Sequence, residues 1–222
     1  MDLNANFPLR AFVSLERRTD RRESLRLRMA GAGVDAEWFR AVDAKALRHP
    51  CGFKDTARRA NSLSFRFLLR AAERRASPAM LVLEDDAVFH PEFQKRVATL
   101  ALPDDWQIFY FGCLHLECPQ PVSPGIVRVA RALDTHAVAF RAGAYREVRK
   151  IIRGVRNGRG PSEQFSDVLL SLLHKRLPTY AAFPNLIWQA LGQSDIAGRN
   201  YSNYDTKGQQ IPCPEVVRHL QP

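Results

Sequence analysis

The chain has 222 residues, with 33 Lys and Arg against 23 Asp and Glu for a net charge of +10, and 45% of its residues are hydrophobic. These are the proportions of an ordinary folded domain with one sizeable core. They exclude a disordered polyelectrolyte, and the sequence contains no apolar run near the ~18 residues a membrane-spanning helix needs. The first ten residues, MDLNANFPLR, lack the basic start and apolar stretch of a secretory signal. With only four cysteines (Cys51, Cys113, Cys118 and Cys213) the expectation is reduced thiols in a cytoplasmic protein. Residues 1–75 hold 17 basic and 9 acidic side chains. That field favours phosphate-bearing partners, and it is equally the signature of a solvated arginine-rich surface.

Leu9–Leu15 reads as a strand, followed by a basic helix capped at Thr19 or Asp20, with Glu23 placed to complete a capping box. Gly31 and Gly33 mark its end. Ala36–Val42 is a second strand. Arg58–Arg75 has helical period with Leu63, Phe67 or Leu68, and Ala71 on the expected buried face, and Ser77-Pro78 stops it. Ala79–Leu83 is a continuous apolar run, as in a strand covered on both faces. A short helix follows His90-Pro91. Trp106–Phe111, Ile126–Ala130 and Thr135–Phe140 read as strands, Ala142–Ile152 as a helix, and Ser162 to about Lys175 as another. Strands alternating with helices predict an α/β fold, a mixed central sheet with helices on both faces. Its ligand site is expected beyond the carboxyl ends of the strands.

The sharpest local signal is LVLEDDAVF, where Glu84, Asp85 and Asp86 stand at the end of an apolar strand. Adjacent carboxylates raise one another's proton affinity unless a cation neutralises them, and their oxygens suit Mg²⁺ or Mn²⁺. On extended backbone Glu84 and Asp86 project to one side and Asp85 to the other. A metal held there would clamp a diphosphate leaving group, whereas a solvated acidic turn is the plainer alternative. In LERRTDRR, Arg17 and Arg21 are four apart and suited to phosphate oxygens beside a helix start. In SEQFSDVLLSLLH, Phe165, Val168, Leu169, Leu172 and Leu173 form the expected buried stripe. Glu163, Asp167, Ser171 and His174 lie on another face, where a carboxylate serves as general base or is simply solvated. Cys113, His115 and Cys118 are poorly spaced for zinc, and His136 reads as a strand residue. No Walker, G-x-G-x-x-G, G-x-S-x-G or nucleic-acid signature is present.

Taken in order over roughly residues 9–197, FVSLERRTDRRESL, FRAVDA, LVLEDDAVF, DTHAVAFRAGA, SEQFSDVLL and FPNLIWQALGQSDI resemble glycosyltransferase family 25, which includes lipopolysaccharide glycosyltransferases and collagen galactosyltransferases. The resemblance implies a GT-A-type nucleotide-binding sandwich forming one domain. Residues 9–115 would bind the donor, 126–197 would serve the acceptor, and 198–222 would be an irregular tail. It implies inverting transfer of galactose or glucose from a UDP-sugar donor to a glycan or lipid-linked glycan, with Mn²⁺ or Mg²⁺. The place would be the cytoplasm, with peripheral contact at an anionic inner membrane surface and no nucleic acid. By position it assigns Glu84 and Asp86 to the metal, Ser14, Arg17, Arg21, Asp43 and Asp85 to the donor, and Asp167 to catalysis. Asp195 falls in the SDI segment without a role. Ser14 stands where the family has asparagine, and Asn61-Ser62-Leu63-Ser64-Phe65 stands where it has a Gly-Cys…Ser-His segment. The alternative is a non-catalytic binding module docking on anionic membrane or nucleic acid through the basic first third.

Overall fold

In the computed structural model, residues 1–51, 54–156 and 166–190 are described, together with the backbone of 192–193 and 200–201. An eight-stranded mixed sheet runs in the order β2-β1-β3-β8-β5-β9-β7-β6. Its members are β1 (Leu9–Ser14), β2 (Glu37–Arg40), β3 (Ala79–Glu84), β5 (Ile108–His115), β6 (Gln120–Ser123), β7 (Ile126–Arg128), β8 (Ala132–Arg141) and β9 (Thr179–Ala182). A separate two-stranded ribbon pairs β4 (Ala87–Phe89) with β10 (Ile187–Gln189).

Strands β2, β1 and β3 are mutually parallel, with Ala11 paired to Glu37 on one side and Val82 on the other. The chain leaves β1 for β2 on one flank and then crosses to β3 on the opposite flank. The carboxyl ends of β1 and β3 therefore frame a topological switch point, the position where open α/β sheets leave a crevice. Strand β8 runs antiparallel to β3, with Leu83 opposite Ala137, so the start of β8 meets the end of β3.

Period-2 alternation sends successive residues of these strands into two cores. Ala11, Met80, Val82, Val138 and Phe140 face α3 (Thr56–Arg74), α5 (Ala142–Arg156) and α6 (Ser166–Ser171). Phe12, Leu81, Leu83, Phe109 and Phe111 face α2 (Thr19–Gly31) and α4 (Phe93–Thr99), with the short α1 (Leu3–Asn6) leading into β1. The α/β class is as expected from the sequence. No helix among the described residues is long and apolar enough to cross a membrane.

Several local expectations need correction. The start of α2 carries no side-chain cap at its Arg18 N-cap, because Asp20 turns back to Arg18 at 2.9 Å instead. Gly33, at φ 62°, does close that helix in the left-handed region. The buried face of α3 is Phe65, Leu68, Leu69 and Ala72 with Ser62 and Ser64, while Phe67 is 43% exposed. The face is rotated because Ser64 buries its hydroxyl between Ala60 O (2.8 Å) and Val42 N–H (2.9 Å). The described helix α6 is shorter than expected, and Ser162, Glu163 and Phe165 lie outside the described residues, as does Asp195. Leu172 is exposed and His174 is buried, the reverse of the expected faces. The turns after Ser171 break the helical period, and His174 bonds the Tyr110 hydroxyl at 3.1 Å. Cys51 and Cys113 are free thiols, but Cys118 is disulfide-bonded, so the expectation of four reduced cysteines fails there.

Candidate functional site

The carboxyl ends of β1, β2 and β3 open into a cleft of about 760 Å³, its open mouth included. Ser14, Leu15, Arg17 and Arg21 border it from the first strand and turn, and Val42, Asp43 and Ala44 from the second. Ala57, Ala60, Asn61, Ser64 and Phe65 come from α3, Glu84, Asp85 and Asp86 from the end of β3, and Gln189 from β10. The sequence-predicted residues Ser14, Arg17, Arg21, Asp43, Glu84, Asp85 and Asp86 thus meet at one cleft, although they are drawn from three strand ends.

The acidic triplet does not alternate as extended backbone would have it. The strand ends at Glu84 and residues 85–86 form a turn, so period 2 stops and all three carboxylates border the cleft. Their surroundings then separate their chemistry. Asp85 is committed on both oxygens, accepting from the Ser14 hydroxyl at 2.7 Å and from Arg21 at 3.0 Å. Burial raises its proton affinity, and Ser14 and Arg21 oppose that shift. Asp86 accepts from Gln189 Nε2 at 2.9 Å through Oδ2, stands 3.8 Å from Arg21, and has a buried Oδ1 without a partner. Glu84 accepts from the Thr135 hydroxyl at 2.7 Å, and its carboxyl is pushed up to about 8, first by burial and then by the neighbouring Asp86 charge.

The arginines are positioned by the chain around them. Arg22 donates to the carbonyls of Leu15 and Glu16 and stacks over Trp38 at 4.4 Å, which pins the turn between β1 and α2. Arg17 precedes the helix rather than sharing its face with Arg21, and donates to Asp43 at 3.1 Å. Asp43 also accepts from the Lys45 N–H at 2.9 Å, and that bond, ahead of Arg17, holds its carboxyl below the usual range. Asn61 accepts from Ser166, tying α3 to the start of α6.

Asp167 is not among the side chains bordering the cleft. Its oxygens accept the N–H groups of Val168 at 2.7 Å and Asp134 at 3.3 Å, and burial raises its proton affinity. Its charge is felt by Glu84, which places it on the β8 side of the same carboxylate group. Sequence reasoning missed Gln189 and Thr135, although both stand in segments it had singled out. Each is a neutral donor that fixes one carboxylate, a role no spacing rule reveals.

A divalent metal is tested here by the donor set. Among the described residues no group of three His, Cys, Asp or Glu could hold one, so those residues alone do not cage a cation. Mg²⁺ and Mn²⁺ at phosphate sites take one or two carboxylates and complete their shell with phosphate and water. The buried, unpartnered Oδ1 of Asp86 at the cleft wall fits that requirement. Cys113 and His115, 3.6 Å apart in the core, do not.

No protein-family model and no curated protein matches the chain. Among solved structures, a glycosyltransferase involved in the glycosylation of the major capsid of PBCV-1 is 16% identical, covering 80% of this chain and 83% of that one at TM-score 0.46. UDP-glucose pyrophosphorylase complexed with UDP-glucose is 10% identical over 78% and 89%, at TM-score 0.45. A mutant Drosophila β-1,4-galactosyltransferase 7 in complex with manganese, UDP-Gal and xylobiose is 13% identical over 96% and 80%, at TM-score 0.42.

Proposed function

We propose that the protein is a GT-A-type glycosyltransferase of the family 25 kind, moving a hexose from a UDP-sugar to a hydroxyl of a glycan or lipid-linked glycan. The observation that carries this reading is the buried, unpartnered Oδ1 of Asp86 at a strand-end cleft that Arg17 and Arg21 also border. A cleft with basic side chains and one open carboxylate suits a metal-bound diphosphate better than it suits a bare anion, which Asp86 would repel.

In this reading Asp86 holds Mn²⁺ or Mg²⁺ with Glu84 as a second carboxylate, and the metal when bound supplies charge stabilisation to the departing diphosphate. Arg21, already neutralising Asp85, and Arg17 bind and orient phosphate oxygens. Asp43 and Ser14 serve the nucleoside side, with Asp85 near the ribose or sugar. Asp167 is the acceptor-side base. Its raised proton affinity brings it toward the value at which a carboxylate accepts a hydroxyl proton near neutral pH. In-line attack of that hydroxyl inverts the anomeric carbon.

The test is thermal unfolding with UDP-galactose, UDP-glucose, UDP-N-acetylglucosamine, GDP-mannose and UDP, each with and without Mn²⁺. A ligand bound only by the native state raises the melting temperature by mass action. A rise needing both a uridine nucleotide and Mn²⁺ supports the reading and names the donor. No rise at millimolar nucleotide overturns it.

A further inference from the structure

Much of the basic charge next to β1 is committed to the cleft. Arg17, Arg18 and Arg21 are paired with Asp43, Asp20 and Asp85. Arg22 and Arg28 donate to backbone carbonyls, those of Asp85 and Asp86 in the case of Arg28. These side chains build the cleft. Exposed positive charge gathers on α3 and α5, where five of the nine basic side chains of residues 56–74 and 142–155 are exposed (Arg70, Arg74, Arg146, Lys150 and Arg153) against two acidic ones. The two acids are engaged locally, Glu73 with Arg149 and Glu147 with Lys150.

The two helices cover the same face of the sheet, burying Phe65, Leu68 and Leu69 from one and Tyr145, Val148 and Ile152 from the other in a common core. Their opposite faces must therefore look out together. At helical spacing Phe67, Arg70 and Arg74 form one outward stripe, and Arg146 and Arg153 lie on the other helix, all of them exposed. The stripes adjoin: besides burial, the charges of Arg153 and Arg70 lower the proton affinity of Arg149 between them. Phe67, 43% exposed, stands within this field. A phenylalanine ring amid guanidinium groups gains nothing from water. At a bilayer surface the ring enters the headgroup boundary while the arginines meet lipid phosphates.

We infer that the joined outer faces of α3 and α5 are a docking surface for anionic lipid, with Phe67 as the apolar anchor. The N-terminal half of α3 borders the cleft through Ala57, Ala60, Asn61 and Ser64. One rigid helix thus carries both the cleft wall and the docking stripe, so docking presents the cleft next to the membrane surface.

The experiment is co-sedimentation of the full chain, without nucleotide, with vesicles of phosphatidylglycerol and phosphatidylcholine in equal parts and with pure phosphatidylcholine vesicles. Scored without donor, it stands or falls independently of the transferase reading. Binding is expected to the anionic vesicles alone and to weaken as salt rises. At about 1 kcal/mol per arginine at the surface, Arg70→Gln with Arg153→Gln loses roughly 30-fold in partition. Phe67→Ser loses several-fold, whereas Arg26→Glu on α2, which changes the net charge by the same two units as the double variant, loses far less than the double variant does. Unchanged melting temperatures establish that the variants fold. Equal binding to both vesicle types, or equal losses in the α2 control and the double variant, overturns the assignment. So does binding to random duplex DNA that follows the arginines while Phe67→Ser is silent, since that describes a polyanion surface and not a lipid one.

Discussion

Arg21 lies 3.0 Å from Asp85 and 3.8 Å from Asp86, so one guanidinium serves two adjacent carboxylates unequally. With Ser14 on its other oxygen, Asp85 becomes part of the wall. Asp86, held only through Oδ2 by Gln189, keeps Oδ1 for something else. Two identical side chains, one peptide apart, acquire different tasks from what surrounds them. Asp86→Asn should therefore leave the melting temperature within a few degrees of the parent. It should abolish any rise given by UDP with Mn²⁺, because an amide is a poor ligand for a hard cation. A full metal-dependent rise in Asp86→Asn would remove Asp86 from the metal site.

Arg21→Met should act on stability as well as on binding. Both partners of the Arg21–Asp85 pair are mostly shielded, with side-chain exposures of 18% and 12%. Removing the cation leaves a buried carboxylate facing Asp86 without its main neutraliser, a change that costs on the order of 3 kcal/mol. The double substitution Arg21→Met with Asp85→Asn should recover much of that loss without recovering nucleotide binding. Urea unfolding of the three variants measures it, and a stability equal to the parent in Arg21→Met would show that the pair contributes little.

Asp167→Asn separates base from scaffold. The amide can keep one of the two backbone N–H bonds that Asp167 now accepts, so the start of α6 should persist. Under the proposed reaction kcat should fall by about 100-fold or more, in the usual range for losing a general base, with the donor KM within about threefold. A parallel loss of donor affinity would instead make Asp167 a support for Glu84.

What the sequence made legible follows from which signals are local. The apolar run 79–83 and the charges after it could be read directly, because a covered strand and its polar end are contiguous. Arg17 and Arg21 were also legible, as part of a basic cluster between β1 and the start of a helix, whereas Asp43 was singled out only by the family resemblance. The face of α3 was not legible, because Ser62 and Ser64 bury polar atoms that a hydrophobic count scores as surface. Strand β10 is three residues long and has no period to read. Its Gln189 reaches Asp86 across 103 positions, a distance over which a single sequence carries no pairing signal.

Gly112 shows how β10 is seated. A Cβ there would stand 1.7 Å from the Ile187 carbonyl oxygen and 2.8 Å from His136 Nε2, which itself bonds that oxygen at 3.0 Å. Only a bare backbone lets β10 lie this close to β5. Gly112→Ala should cost at least about 2 kcal/mol in urea unfolding, since backbone and not a flexible side chain must yield. It should also weaken nucleotide binding, because Gln189 moves with β10. Parent-like stability would mean that β10 shifts freely, contrary to its packing.

His115 and His174 each contribute a loss of stability in acid. Burial pushes both down to about 4, and His115 lowers His174 further. Neutral His174 accepts the Ala132 N–H at Nδ1 (3.4 Å), which leaves Nε2 to donate to Tyr110. In the unfolded chain both rings titrate near 6.5. Between that value and about 4 the unfolded state binds more protons, so stability falls as pH drops through this window. Each ring contributes about 2 kcal/mol of loss between pH 7 and pH 5. Glu84, Asp85 and Asp167, whose proton affinities are raised, act with the opposite sign, so the parent alone does not isolate the effect. The comparison is the change in urea midpoint from pH 7 to pH 5 in the parent and in His174→Gln, which keeps a polar group beside Tyr110 but cannot titrate. The variant should be less stable at pH 7 and lose about 2 kcal/mol less on acidification. An identical pH dependence in the two proteins would show that His174 takes up its proton as readily in the fold as in the unfolded chain.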